Sequence, residues 1–150
     1  MIVIKEELYK ECLNYVQDCI DTAQQAINAA VESSNDDTKS SAGDKYETGR
    51  EMMQQEIDRN RKQLEEAKRQ KLSLEQIEHR KHDDIVQTGS LVITNFGKFY
   101  IAISKGQMQV EGVNYFAISA ASPIGTKLMR QKIGYEFDFN GKTFKIEDIL

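Results

Sequence analysis

Two segments in the first half of the chain repeat their apolar residues at the spacing of a helix. From Glu6 to about Ser33 and again from about Asp44 to Glu78, apolar residues recur at steps of three and four, the period of one buried helical stripe. The first stripe consists of Leu8, Cys12, Tyr15, Val16, Cys19, Ala23, Ile27, Ala30 and Val31. The second consists of Met53, Ile57, Leu64, Ala67 and Leu74. The pattern predicts two long helices, each with a single narrow apolar face.

Polar residues interrupt the second stripe. Asn60 and Lys71 fall at its seam positions, as in a two-helix coiled coil whose polar residues fix the register. The segment 33–43 between the helices is polar, ends in glycine and is too short to let the helices separate. The sequence therefore predicts an antiparallel coiled-coil hairpin over residues 1–81, with an acidic tip at about 34–47.

The apolar period changes after residue 82 to that of strands. Three short runs, 91–94, 99–103 and 114–118, are rich in branched and aromatic residues and are separated by turns with Gly and Lys. Ser122 and Pro123 then have the character of a helix cap and a first helical residue, which predicts a short helix. The eight aromatic residues at strand spacing are interpreted as core: Phe96, Phe99, Tyr100, Tyr115, Phe116, Phe137, Phe139 and Phe144.

The last strands have the most specific turn signal. Asn140-Gly141 calls for a type I′ turn of two residues, which fixes the register of the strands on either side. That register sets Phe137 opposite Phe144, Tyr135 opposite Ile146 and Glu136 opposite Lys145. Residues 82–150 are therefore predicted to form a small α+β domain, and we expect the two halves of this α+β chain to fold separately.

Composition and charge narrow the class of partner. The chain is 29% charged and 39% hydrophobic, as in folded soluble proteins, and its net charge is −4. No segment is basic enough for tight autonomous binding to duplex DNA, whose affinity comes mostly from phosphate neutralisation. A protein partner is the better expectation. No apolar run is long enough for a signal peptide or a membrane span, which predicts a cytoplasmic protein without a membrane partner.

The cysteines and histidines offer little chemistry. Cys12 and Cys19 are two helical turns apart, too far for a disulfide, and are interpreted as small core residues. A catalytic thiol is the alternative, but it needs a base, and His79 and His82 are the only histidines. These histidines with Asp83 and Asp84 have a faint metal-ligand spacing, although no cysteine joins them.

Two motifs, together with the order of the halves, resemble the GreA/GreB transcript-cleavage factors, which enter the secondary channel of bacterial RNA polymerase. The first is the segment 118–149, ISAASPIGTKLMRQKIGYEFDFNGKTFKIEDI, which is similar to the C-terminal signature of that family. The second is Gly43-Asp44-Lys45-Tyr46-Glu47, which is similar to the family's hairpin tip. The resemblance spans nearly the whole chain.

The resemblance implies an FKBP-like fold without isomerase activity for residues 82–150. It also implies that Asp44 and Glu47 are the catalytic carboxylates, which would hold a second Mg²⁺ only together with the polymerase active site. Ser122, Pro123 and Ile124 would bind the polymerase at the rim of the channel. The protein would then be an accessory factor that stimulates the polymerase's own nuclease, and not an enzyme itself.

Other interpretations of the same residues stay open. An acidic pair in the first turn of a helix is commonly a cap that interacts with the helix dipole. Arg50, like other basic residues of the second helix, can contact RNA or the channel wall, or belong to a solvated face. These other residues are Arg59, Arg61 and Lys62, with Glu47, Glu65 and Glu66 as expected partners. The alternative functions are a non-cleaving channel regulator of RNA polymerase and a coiled-coil adaptor with an FKBP-like module.

Overall fold

The computed structural model describes residues 2–37, 43–78 and 84–150, with the side chains of residues 3–33, 48–78 and 84–150. The described residues form two long helices, followed by a mixed sheet with one short helix among its strands. The predicted α+β class, with an N-terminal helical hairpin before a sheet domain, is confirmed. The FKBP-like character of the sheet stays a prediction. In the described part of the chain, no helix is both long and apolar enough to cross a membrane.

Both helices differ at their ends from the sequence-predicted ranges. Helix α1 covers Ile2–Asp37, 36 residues, and α2 covers Gly43–Glu75, 33 residues. Helix α1 continues past Ser33 because residues 33–37 are polar but contain neither Gly nor Pro, the residues that end helices most strongly. Helix α2 ends three residues before the predicted Glu78. All side chains of the predicted tip, residues 34–47, lie outside the described side chains.

Residues 16–71 form one of two compact units in the chain. Its seam is lined by small or branched buried side chains: Val16, Ala23, Ile27, Ala30, Ile57 and Ala67. The Lys71 Nζ atom donates a hydrogen bond to Gln17 Oε1 at 3.0 Å, which joins the end of α2 to the first half of α1. The antiparallel hairpin is thus confirmed, with Lys71 at the seam. Val31, predicted in the stripe, is 38% exposed and lies at its margin.

The second compact unit, residues 1–15 and 72–150, contains the sheet. Its strands are β1 Leu91–Thr94, β2 Gly97–Ile101, β3 Gly106–Val110, β4 Val113–Ile118, β5 Glu136–Phe139 and β6 Lys142–Ile149, and its short helix is α3 Pro123–Leu128. Within the described residues the strand order is β3-β4-β2-β1-β6-β5. Strands β2 and β4 are parallel, and the other neighbouring strands are antiparallel.

Strand β3 was not predicted from the sequence. Of its residues, Gly-Gln-Met-Gln-Val, only Met108 is buried, Val110 on the same face is half-buried, and glutamine has no preference for strands. The Glu111-Gly112 turn that follows is the sequence feature that could have predicted this strand. Glu111 and Gly112 have φ values of 52° and 79°, as a type I′ turn between Val110 and Val113 requires.

One face of the sheet carries an aromatic and aliphatic core. Its buried residues are Val86, Val92, Phe99, Ile101, Leu128, Phe137, Phe144, Ile146 and Ile149. The rings of Phe137 and Phe144 stack at 5.3 Å between centroids, in the register predicted from the Asn140-Gly141 turn. Asn140 and Gly141 have φ values of 51° and 77°, so the type I′ turn is confirmed.

The start of α1 covers the opposite face of the sheet. The buried side chains on this face are Leu91, Tyr100, Met108, Tyr115 and Ala117. The Cys12 Sγ atom lies 3.9 Å from Met108 Sδ, and Lys5 Nζ donates to the Leu150 carbonyl at 3.2 Å. Leu8 and Leu74, in the same unit, are fully buried. The burial of this face under α1 argues against the separate folding of the two halves, while the predicted boundary at residue 82 stays a prediction.

Candidate functional site

The predicted catalytic pair lies in the first turns of α2. The helix begins at Gly43, so the backbone of Asp44 and Glu47 is helical and the two residues share one face at a spacing of three. Their side chains lie outside the described residues. Their role as metal ligands therefore stays a prediction, which rests on the position of α2's first residue and on the sequence motif.

The predicted docking residues form a well-defined helix cap. Ser122 is the N-cap of α3, and its hydroxyl accepts a hydrogen bond from the Gly125 amide at 3.1 Å. The same hydroxyl donates to the Ser119 carbonyl at 2.7 Å. The Ser122 carbonyl accepts from the Thr126 amide at 2.9 Å, which closes the first turn. With each of these groups bonded, the loop keeps one conformation without a partner.

The three docking residues differ in how much they offer to a partner. Pro123 is exposed at the first position of α3, whereas Ile124 is half-buried and packs against the aromatic core. Ser122 is half-buried, and its hydroxyl is engaged within the loop. Pro123 is therefore the residue of the three that can be changed with the least effect on the fold.

Gly125 fixes the shape of this loop from within. It is buried, and a β-carbon at this position would lie 2.8 Å from Ser122 Oγ and closer still to the Ser119 carbonyl oxygen. A side chain here would press on the Ser119 carbonyl and on the Ser122 hydroxyl, which caps the helix by accepting a hydrogen bond from the Gly125 amide. The cap and the close backbone approach thus depend on glycine at this position.

The segment that follows α3 exposes two apolar residues. Tyr135 lies opposite Ile146, as the register of the Asn140-Gly141 turn predicts, because the Ile146 amide donates to the Tyr135 carbonyl at 3.0 Å. Ile133 was not singled out from the sequence. Ile133 is 56% exposed and Tyr135 is 37% exposed. The backbone there is held in place, because the Gly134 amide donates to the Ile146 carbonyl at 2.8 Å and Ile85 forms a bridge with Lys132. Single apolar side chains on a surface are normal in folded proteins, so these two residues do not by themselves identify a binding surface. Hydropathy alone cannot find them, because the same residue types fill the core.

Four basic residues of α2, namely Arg50, Arg59, Arg61 and Lys62, are solvated. Arg50 is exposed, and the described carboxylates make no ion pair with it, nor with Arg59, Arg61 or Lys62. Glu66, one of the expected partners, instead pairs with Arg69 at 3.2 Å, with both side chains more than half exposed. Such a pair adds little stability. The contact of Arg50 with RNA or the channel wall stays a prediction.

Cys12 has the core position expected for it, whereas Cys19 is half-buried. Both thiols are free, and Cys12 is fully buried against Met108. Burial raises the pKa of the Cys12 thiol to about 12, so it stays protonated and unreactive near neutral pH. His79, His82 and Asp83 lie outside the described residues. The described His, Cys, Asp and Glu residues contain no cluster that could hold a metal ion.

Comparison of the chain with models of protein families and with curated proteins gave no match. A solved structure described as "Structure of the transcription factor Gfh1" overlaps with 91% of this chain and 92% of its own. The two chains are 16% identical, and the TM-score is 0.36. A likeness at this level carries no argument, so the functional interpretation rests on the chain's own residues and geometry.

Proposed function

We propose that this protein is a cytoplasmic transcription elongation factor that inserts its helical hairpin into the secondary channel of bacterial RNA polymerase. There it would stimulate cleavage of backtracked transcripts. The observation that carries the proposal is the start of α2 at Gly43, which places Asp44 and Glu47 in the first turns of a helix of 33 residues. At about 1.5 Å per residue this helix is roughly 50 Å long, enough to extend deep into a partner.

The narrow seam suits this task. The hairpin unit buries mainly small side chains between its two helices, and the described residues around them are largely exposed and polar. An element of this kind can enter a channel without exposing a large apolar surface to water beforehand. A helical backbone would hold the tip carboxylates in position, which is what metal-assisted catalysis requires.

Asp44 and Glu47 would act as supplementary ligands. Two carboxylates do not hold Mg²⁺ tightly by themselves, because the ion keeps its waters and also seeks phosphate oxygens. In the polymerase, which would hold one Mg²⁺ and the transcript, they would help to bind a second ion and to orient the attacking water. The factor would therefore be an accessory protein to the polymerase's nuclease activity.

Docking would be the task of the α3 loop. Ser122, Pro123 and Ile124 form a preorganised turn, so little ordering entropy is lost when a partner binds it. The exposed Ile133 and Tyr135 extend the available apolar surface. Pro123→Glu tests this role, since Ile124 also contacts the core and its replacement by a charge would disturb the fold. We expect a weaker complex with core polymerase, while Asn114→Glu, at an exposed residue of β4, serves as the control with the same change of charge.

The decisive test is transcript cleavage in backtracked elongation complexes. Asp44→Asn with Glu47→Gln keeps size and helical context but removes the charge, so we expect cleavage to fall by about two orders of magnitude or more. Glu51→Gln, one turn further along α2, is the matched control and should retain activity. The doubly substituted protein should still bind and compete with the native one. Native protein that binds polymerase without stimulating cleavage would instead identify a non-cleaving channel regulator, and absence of binding would favour the adaptor.

A further inference from the structure

Strand β3 lies at an open edge of the sheet. It pairs with β4 on one side, and none of the described strands pairs with it on the other. Its residues, Gly106–Val110, include neither proline nor a charged side chain, the two features that commonly protect an edge from pairing. An unprotected edge of five residues presents backbone groups to which a further strand can add.

The turn after β3 determines which groups point outward. In a hairpin with a two-residue turn, the residues that flank the turn form a hydrogen-bonded pair, and the pairs then alternate along the strands. Val110, Met108 and Gly106 therefore bond to β4, whereas the N–H and C=O groups of Gln107 and Gln109 face the free edge. The edge thus offers two residues, separated by one, to an incoming strand.

This arrangement is complementary to itself. When two copies of β3 pair antiparallel about Met108, Gln107 of each copy lies opposite Gln109 of the other, and both are oriented for hydrogen bonding. These two pairs would exchange about four backbone hydrogen bonds. Because residues equally distant from Met108 share a side of the strand, the faces of the two sheets stay aligned.

Charges at the two ends of β3 match the same register. Lys105 precedes the strand, and Glu111 follows it in the turn. In the pairing centred on Met108, Lys105 of one copy and Glu111 of the other, which flank the paired residues, would come near each other once at each end. The Lys105 ammonium lies 5.7 Å from the centroid of the Tyr15 ring. A two-fold pairing would therefore join opposite charges twice.

Strand β5 forms the other edge of the sheet, and the same alternation of hydrogen-bonded pairs shows that this edge disfavours self-pairing. The outward-facing residues of β5 are Glu136 and Asp138, because Phe139 and Lys142 flank the two-residue turn. Pairing of two copies of β5 would place Glu136 opposite Asp138 of the second copy, and like charges directly opposite each other are destabilising. The acids protect the β5 edge from self-association, whereas β3 has no such protection.

We propose that the free edge of β3 is a self-association site, at which two copies of this chain pair antiparallel about Met108 into one continuous sheet. The occupant is a second copy because the backbone register and the charges at both ends are complementary under the same two-fold axis. This contact is independent of the transcriptional role proposed above.

The test is sedimentation equilibrium of the full chain from about 5 to about 500 µM, the range in which small interfaces associate. We expect a reversible monomer–dimer equilibrium that Gln109→Pro weakens at least about tenfold, because proline removes an outward N–H and no bond to β4. Asp138→Pro removes an equivalent outward N–H from β5 and should leave the equilibrium unchanged. A chain that stays monomeric throughout overturns the proposal, as does a dimer insensitive to Gln109→Pro.

Charge reversal tests the register itself. At low salt, Lys105→Glu and Glu111→Lys should each weaken the dimer by about three- to tenfold, because each places like charges opposite each other. The double variant should restore it, and a mixture of the two single variants should form a heterodimer in preference to either homodimer. Circular dichroism checks that each variant is folded. A folded double variant as weak as the single ones would overturn the proposed register.

Discussion

The hairpin unit and the sheet unit bury very different side chains. Between residues 16 and 71 the buried apolar side chains are alanine, valine and isoleucine, along a single seam. The sheet unit buries large aromatic rings on both faces, among them Tyr100 on one and Phe144 on the other. A two-helix seam cannot enclose a side chain on all sides, whereas a sheet covered by helices can. The hairpin therefore relies on helix formation and register, and the sheet relies on packing.

The largest effect on stability is expected from removing the start of α1, which covers one face of the sheet. Residues 84–150 alone should not unfold cooperatively, because Tyr100, Met108 and Tyr115 would lose the cover that the start of α1 provides. Amide dispersion and thermal unfolding by circular dichroism measure this. A chain in which residues 2–23 and 64–150 are joined by a short loop is the control, and it should fold because it keeps the covering helix ends. A folded 84–150 fragment would contradict the expectation.

A second comparison is the truncation of one buried residue in each unit. Phe144→Ala should lower the free energy of unfolding by about 3–5 kcal/mol, because the truncation leaves a cavity. The Phe144 ring packs against the rings of Phe96, Phe99, Phe137 and Phe139. Ile57→Ala should cost about 2 kcal/mol, at the lower end for such changes, because water can fill part of the space at an open seam. Urea denaturation followed by circular dichroism measures both. Equal losses would show that the seam is packed as tightly as the sheet.

The smallest effect comes from adding a methyl group to one glycine in each unit. Gly125→Ala should destabilise the protein by about 1–3 kcal/mol, because the new β-carbon would press on the Ser119 carbonyl and the Ser122 hydroxyl. Gly49→Ala should stabilise it by about 0.5–1 kcal/mol, because no described atom beyond its own turn of helix lies within 4 Å of the new group and alanine favours helix. Thermal melts compare the two variants. A change of both melting temperatures in the same direction would contradict this expectation.

Local signals in the sequence determined several elements correctly. The Ser122 cap, the Pro123 start of α3 and the Asn140-Gly141 turn each depend on neighbouring residues alone, and the structure has them as predicted. The helical periods of α1 and α2 also identified the hairpin, because a stripe at steps of three and four is a property of one segment. In the candidate site, the cap of the docking loop was predictable because it too depends on neighbouring residues alone.

Other features were decided only by contacts between distant parts of the chain. Strand β3 is a strand because β4 pairs with it, since its own residues favour no particular structure. The start of α1 covers the sheet because Cys12 meets Met108, 96 residues away, and no periodicity reveals which surface a stripe will meet. The exposure of Ile133 and Tyr135 has the same origin. The sequence by itself therefore determined caps, turns and periods, while tertiary packing decided which apolar side chains became core and which stayed available to a partner.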